Sequence, residues 1–323
     1  MHVKRLVSAT LLVLPVVLVI GYQAIVHTQQ RGAAPPAPSA VPPIGIDATE
    51  AQIKQAVAGA RVGRKLTPKS WPNNARVAVA ISFDIDNELL SRNAPLPVPL
   101  SQGEYGATTA LPRILQMAER QQIPITFFVP AVSAMLHPDM IPSIMKANRH
   151  EIAVHGWIHE NNAALNDAEH EQRLLTQAID YLTKAMGKRP VGYRAPSWAW
   201  SPYTLSQVKK AGFLYDSSLM GMDEPYEIVS NGQAVKGLVE LPIEWILDDF
   251  PYYSGNASGS LPLPESVIEI YKGEFDVAYE ERTLCVITMH PHVTGHRSRL
   301  LQLEKLITYM KSKPGVWFGT LEQ

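Results

Sequence analysis

Between Trp71 and Gln323, short apolar runs alternate with longer amphipathic stretches, and this order limits the fold more than any other feature. Arg76–Ser82, Ile125–Val129, Glu151–Val154, Val191–Tyr193, Leu238–Pro242, Leu284–Met289 and Val316–Phe318 read as strands. Between them, Thr108–Gln122 carries Leu111, Ile114, Leu115 and Ala118 on one helical face. Ile141–Ala147 reads as a short helix, and Asp167–Met186 as a long one stopping at Gly187. Ser201 and Pro202 open a helix that ends at Gly212, and Arg299–Lys311 forms the last one. Strands that alternate with helices in this way predict an α/β fold: a parallel (β/α) barrel of the TIM type or a distorted relative. In such a fold the chemistry lies just past the C-terminal ends of the strands.

The chain before this domain has a different composition. Lys4 and Arg5 precede an almost unbroken apolar run, Leu6–Ile20, which continues through Tyr22, Ala24 and Val26. A spanning helix needs about 20 apolar residues, so residues 1–27 read as a signal-anchor helix or a cleaved signal peptide. Positive charge before the apolar run places the remainder outside the cytoplasm. The domain is then expected to be anchored to the cytoplasmic (inner) membrane, or secreted or periplasmic if the segment is cleaved. Residues 28–70 are expected to be a Pro/Ala-rich spacer followed by one short helix, and residues 71–323 the globular domain.

Composition removes several function classes. The 29 Lys+Arg against 30 Asp+Glu leave a formal net charge of −1, without the basic field that nucleic-acid binding needs. A single cysteine, Cys285, excludes an intramolecular disulfide framework and any multi-cysteine metal site. Lying within LCVITM, it reads as a buried strand residue.

Four strand ends carry the chemistry. The first runs into SFDIDNE, where Asp84 and Asp86 stand two residues apart and so point to the same side of an extended backbone. Two close carboxylates repel unless a cation joins them or one keeps its proton. The third strand runs into VHGWIHEN, and the four-residue spacing of His155 and His159 puts both imidazoles on one side of a helical turn, near enough to share a metal. With a carboxylate from another strand end they would make a two-histidine, one-carboxylate site with positions left for water. Arg194, in YRAPSW, is suited to hold one aspartate ionised by a bidentate contact. His290 and His292 follow LCVITM, and a histidine at that place can protonate a leaving group.

Taken together, SFDID, HGWIH, RAPSW, YDSSLM and MHPHVTG resemble, in this order, the five motifs of the polysaccharide deacetylases, the NodB-homology group or carbohydrate esterase family 4. The resemblance spans about residues 75–320. It implies a distorted (β/α) barrel and a divalent metal, usually zinc, on Asp86, His155 and His159. It also implies Asp84 as catalytic base, Arg194 as its orienting partner and His290 as general acid, with Trp198 walling the acetyl pocket. The substrate so implied is an N-acetylated glycan.

Typical members carry adjacent aspartates, whereas here Ile85 intervenes. FDID, HPHVTG, YDSSLMGMDEPY and LPIEWILDDFPYY resemble a sub-branch that includes the Helicobacter-type peptidoglycan deacetylase and the allantoinase-like proteins. That sub-branch implies Asp248 and Asp249, and with them Asp223, as residues of the substrate cleft. It also opens an alternative, hydrolysis of a cyclic imide or amide by the same residues. His296 stands where an Arg is expected, which leaves Arg297 and Arg299 without an assigned role.

Overall fold

The computed structural model describes residues 44–165, 167–253 and 261–323. The expected apolar N-terminal helix and most of the Pro/Ala-rich spacer lie outside the described residues. Among the described residues no helix is long and apolar enough to cross a membrane. The short helix of the spacer is Glu50–Ala56, closed at its start by a reciprocal Thr49–Gln52 capping box.

Ten strands form one sheet: β1 Arg61–Lys65, β2 Val77–Asp84, β3 Thr126–Val129, β4 Glu151–Val154, β5 Gly192–Tyr193, β6 Tyr215–Asp216, β7 Tyr226–Ser230, β8 Gln233–Glu240, β9 Leu284–Met289 and β10 Val316–Phe318. The order is β1-β7-β8-β6-β5-β4-β3-β2-β10, and β9 also pairs with β2. From β6 to β2, with β8, β9 and β10, every neighbour is parallel, as the strand–helix alternation requires. Among the described strands only β7 is reversed, pairing antiparallel with both β8 and β1, and β1 draws residues 61–65 of the expected spacer into the sheet. The sheet curls into a half-barrel of mixed strands flanked by helices. A single parallel bridge from Asp248 to Thr288 brings the chain beyond β8 against β9.

β2 is buried on both faces, and its alternation sorts two cores. Val77, Val79, Ile81 and Phe83 pack in the large core. Ala80 joins Phe128, Ala153, Tyr215, Ile243, Val286 and Leu321 in the smaller one inside the curl. The long helix Ala168–Met186 lies where the periodicity put it. Asp167 caps its N-terminus by accepting from the Glu169 and His170 amides, and Gly187 ends it at φ 72°. The helix expected from Thr108 is present, with Gly106–Ala110 as a π-helical turn that runs directly into the α-helix Leu111–Gln121. Cys285 is buried in β9, and burial pushes its thiol up to about 12.

Asp216 and Glu240 stand opposite one another on β6 and β8, both fully buried. Glu240 accepts the Ser218 and Leu219 amides on Oε1, while Oε2 has no partner. Burial pushes Asp216 up to about 7 and Glu240 well above the usual carboxylate range, so the pair resists ionising together and favours one bound proton. Both folded-state values are raised. Their stabilising contribution is therefore complete below about pH 4, where both forms of the chain are protonated, and fades as pH rises through about 7 and beyond. Glu240→Gln supplies a fixed donor in place of the proton. At pH 8 the variant is expected to melt about 2–4 °C above the wild type, the shift that ~1 kcal/mol produces in a chain of this size, with the gap closing by pH 5. Parallel melting profiles across this range would remove the bound proton.

Candidate active site

The strand ends converge on one cleft whose wall includes Asp84, Asp86, His155, His159, Trp198, Asp248 and His290. Asp84 is the last residue of β2. The Ile85 amide still bonds to the Phe128 carbonyl at 2.9 Å, so the extended path continues and Asp86 emerges on the same side. Both carboxylates are buried.

His155 follows β4, with its amide on the Val129 carbonyl. Its Nδ1 donates to the Arg194 carbonyl at 2.8 Å, so Nε2 is the nitrogen that faces the cleft. That Nε2 lies 3.4 Å from Asp86 Oδ1 and 3.7 Å from Asp84 Oδ2. The four-residue spacing does bring His159 alongside, with Nε2 3.5 Å from Asp86 Oδ1, but no helical turn is present. Instead Gly156 and His159 adopt left-handed φ values of 75° and 54°. Glu160 folds back to accept the Trp157 amide at 3.0 Å and the Ile158 amide at 2.8 Å. This carboxylate clasp tightens the turn that a helix was expected to make.

Arg194 follows β5 and is fully buried. Its contact with Asp84 is single, not bidentate: Nη1 donates to Oδ1 at 2.7 Å and to Ser82 Oγ at 3.0 Å. Nε and Nη2 donate instead to the Ser217 carbonyl and hydroxyl, at 2.9 and 3.0 Å, and the guanidinium lies 3.9 Å above the Phe128 ring.

His290 closes the cleft from β9. Its Nδ1 bonds to Asp249 Oδ1 at 2.7 Å, and Asp249 Oδ2 accepts the His290 amide at 3.1 Å and the Thr294 hydroxyl at 2.5 Å. Nε2 lies 3.5 Å from Asp86 Oδ2. Burial alone would lower the His290 pKa, but Asp249, Asp248 and Asp86 together hold it well above the usual imidazole value. Asp249 thus stands behind His290 and Asp248 forms part of the cleft wall, where burial pushes its carboxyl up to about 7. Asp223 is exposed and borders a different depression with Glu244 and Glu274. His292 is buried beside His290, with ring centroids 5.8 Å apart, and burial lowers it to about 4. His296 stacks on Tyr105 at 4.5 Å. Arg299 donates to the Val293 carbonyl and covers the Tyr253 ring, while Arg297 is exposed. Leu90, Ser197, Trp245 and Phe250 also line the cleft; Ser197 lies in RAPSW and Trp245 and Phe250 in LPIEWILDDFPYY, but none of the four carried an assigned role. Trp245, three residues before Asp248, was within reach of the sequence as the aromatic of LPIEWILDDF.

Asp86, His155 and His159 present ligand atoms that all lie within 4.8 Å of one another, and Asp86 Oδ1 is buried without a hydrogen-bond partner. The 3.4 and 3.5 Å separations match the ~3.4 Å edge of a tetrahedron with bonds of about 2.1 Å, so the three residues fit a divalent cation such as Zn2+. Burial opposes ionisation of Asp86, yet His159, His155 and His290 hold its pKa far below the usual range. Burial keeps His159 neutral by lowering it to about 4. A second cluster, Asp248, Asp249 and His290, is occupied by its own hydrogen bonds. Larger hollows, of about 370 Å³ under Trp71 and Trp317 and about 910 Å³ beside Leu115 and Met140, hold no ligand cluster among the described residues. Elemental analysis of the purified chain is expected to find one divalent metal per chain. Asp86→Ala and His159→Ala lose it, whereas Asp84→Asn keeps it; equal occupancy in all variants would remove the cluster as ligand set.

A family model for polysaccharide deacetylase matches residues 78–215, which carry the first three of these strand ends. The peptidoglycan deacetylase of Helicobacter pylori is 30% identical over 255 residues, covering 70% of this chain and 86% of that protein. Among solved structures, a candidate polysaccharide deacetylase from Mycobacterium smegmatis superposes with a TM-score of 0.74 at 35% identity, covering 80% of this chain and 92% of that one. The Puue allantoinase superposes with a TM-score of 0.69 at 27% identity, again over 80% and 92%. By its sequence relatives and by the fold that brings these strand ends together, the chain belongs to the polysaccharide deacetylase family, hydrolases of non-peptide carbon–nitrogen bonds.

Proposed function

We propose that this protein removes N-acetyl groups from an extracytoplasmic glycan, peptidoglycan or an exported polysaccharide, with a divalent metal, zinc by preference, on Asp86, His155 and His159. One observation carries the reading. Asp84 and His290 reach the Asp86–His155–His159 cluster from different strand ends, each tied to an oppositely charged partner, Arg194 and Asp249. A base and an acid on either side of one electrophile are what amide hydrolysis requires.

A cation held by this cluster supplies a Lewis acid and a water of lowered pKa. Asp84, oriented by Arg194, takes the proton of the attacking water as the water oxygen bonds to the acetamide carbon. Arg194 Nη1 holds Asp84 Oδ1, and Ser82 Oγ accepts from the same nitrogen and so steadies the guanidinium against it. His290 then gives the proton on Nε2 to the sugar nitrogen as the carbon–nitrogen bond breaks, leaving acetate and a free amine. Asp249 holds the ring by Nδ1, so Nε2 faces the cleft in a fixed orientation. Trp198 walls the acetyl group.

The extracytoplasmic location is supported by Lys4 and Arg5 before the Leu6–Ile20 run, which would tie the domain to the membrane by an N-terminal helix. The glycan substrate is supported by the relation to the Helicobacter pylori peptidoglycan deacetylase. A second reading, hydrolysis of a cyclic amide or imide, draws on the allantoinase superposition. It would use the same acid and base but would release no acetate.

Acetate release from acetylated chitooligosaccharide and from peptidoglycan decides between them. The wild type is expected to release acetate from at least one, to lose activity with chelator and to recover it with Zn2+. Asp84→Asn should lower kcat by about 10²–10⁴-fold with the metal retained. Ring opening of a cyclic imide without acetate from either glycan would move the assignment to the second reading.

A further inference from the structure

We propose that Trp245 is the residue that seats the sugar ring of the substrate at the mouth of the cleft, so that only the acetamido group reaches Asp84 and His290. The inference rests on the glycan reading above and adds the residue that would select for it.

The space around the catalytic groups is about 100 Å³, well below the ~300–1,000 Å³ of pockets that enclose a whole small ligand. A substituent fits there and a sugar ring must stay outside. At that boundary stands Trp245, which lines the cleft and is nevertheless 46% exposed. Its ring centroid lies 4.0 Å from that of Trp198, with the planes 31° apart, so Trp198 covers one face. Trp198 is in turn held by an unusual turn: Ser197 and Trp198 both have left-handed φ, 53° and 52°, and the Trp198 amide bonds to the Ala195 carbonyl at 2.9 Å. Trp245 itself begins a one-turn 3-10 helix, closed by the Asp248 amide on the Trp245 carbonyl. An indole fixed on one side and left bare on the other, beside the acid and base, is prepared for a flat apolar partner. The axial C–H bonds of a pyranose present such a face, with positive hydrogens toward the negative face of the ring.

Asp248 supplies the complementary polar group. Its Oδ1 accepts the Phe250 amide at 3.0 Å, and its second oxygen makes no hydrogen bond to the described residues. It can accept a ring hydroxyl of the sugar seated on Trp245. A flat cyclic ureide small enough to enter the cleft would leave Trp245 uncovered, so this residue favours a pyranosyl acetamide over an imide.

The test compares wild type, Trp245→Ala and Trp245→Phe on an acetylated chitooligosaccharide. Acetohydroxamate serves as an inhibitor that reaches the catalytic groups without a sugar ring. Trp245→Ala is expected to raise KM about tenfold or more, with a smaller change in kcat and an unchanged acetohydroxamate inhibition constant; Trp245→Phe should restore most of the affinity. An unchanged KM in Trp245→Ala overturns the inference while the deacetylase reading stands. A parallel rise of KM and the inhibition constant also overturns it, because the residue then shapes the cleft and not the sugar seat. A wild type that releases no acetate from any glycan overturns the reading and the inference together.

Discussion

The buried guanidinium of Arg194 is the joint on which the active site is built. A charge of this size inside the curl of a sheet is tolerated only when it is paired and hydrogen-bonded, and here each of the three nitrogens is engaged, in four bonds to Asp84, Ser82 and Ser217. These partners lie on β2 and directly after β6, so the residue after β5 ties its own strand to two others across the interior. Its backbone carbonyl has a separate task, accepting Nδ1 of His155 and so fixing which nitrogen faces the cation cluster. One residue therefore orients both Asp84 and His155. Replacing it would leave Asp84 a buried carboxylate without its charge partner.

On the other side of the cleft, the geometry depends on how the sheet curls. The bridge from Asp248 to Thr288, with the Asp249 amide on the Thr288 carbonyl, lays the segment after β8 along β9. That contact places one aspartate behind His290 and the next in the cleft wall, so two adjacent carboxylates take different surroundings and different tasks. Trp245 is carried to the mouth by the same segment. His290, its partner Asp249 and the half-exposed Trp245 are thus brought together by one long-range contact.

Much of this was legible from residue patterns. The strands Glu151–Val154, Leu284–Met289 and Val316–Phe318 and the helix Ala168–Met186 follow from local alternation, a capping aspartate and a terminal glycine. The elements not read are instructive for different reasons. The helix Pro264–Glu281 has Pro264 at its first turn and buries Val267, Tyr271, Phe275 and Ala278 at helical spacing, a signal that was present. The β7–β8 hairpin likewise turns at Asn231–Gly232, both with positive φ, the sequence mark of a tight hairpin. β1 is different: its five residues are mostly exposed and bury no alternating face, so only the edge of β7 makes it a strand.

What the sequence determined by itself was the set of reactive groups and their positions at strand ends, because strand and helix periods are local properties of the chain. It placed Asp84 and Asp86 on one side of an extended segment and put His155 and His159 within reach of a common ion. The tertiary structure decided how these groups meet. The His155–His159 turn is shaped by Glu160 and not by a helix, Arg194 divides its donors between β2 and Ser217, and Asp249 stands behind His290 while Trp245 reaches the mouth. Each of these depends on distances between segments far apart in the chain, set by the curl of the sheet and by the need to satisfy every polar group buried inside it.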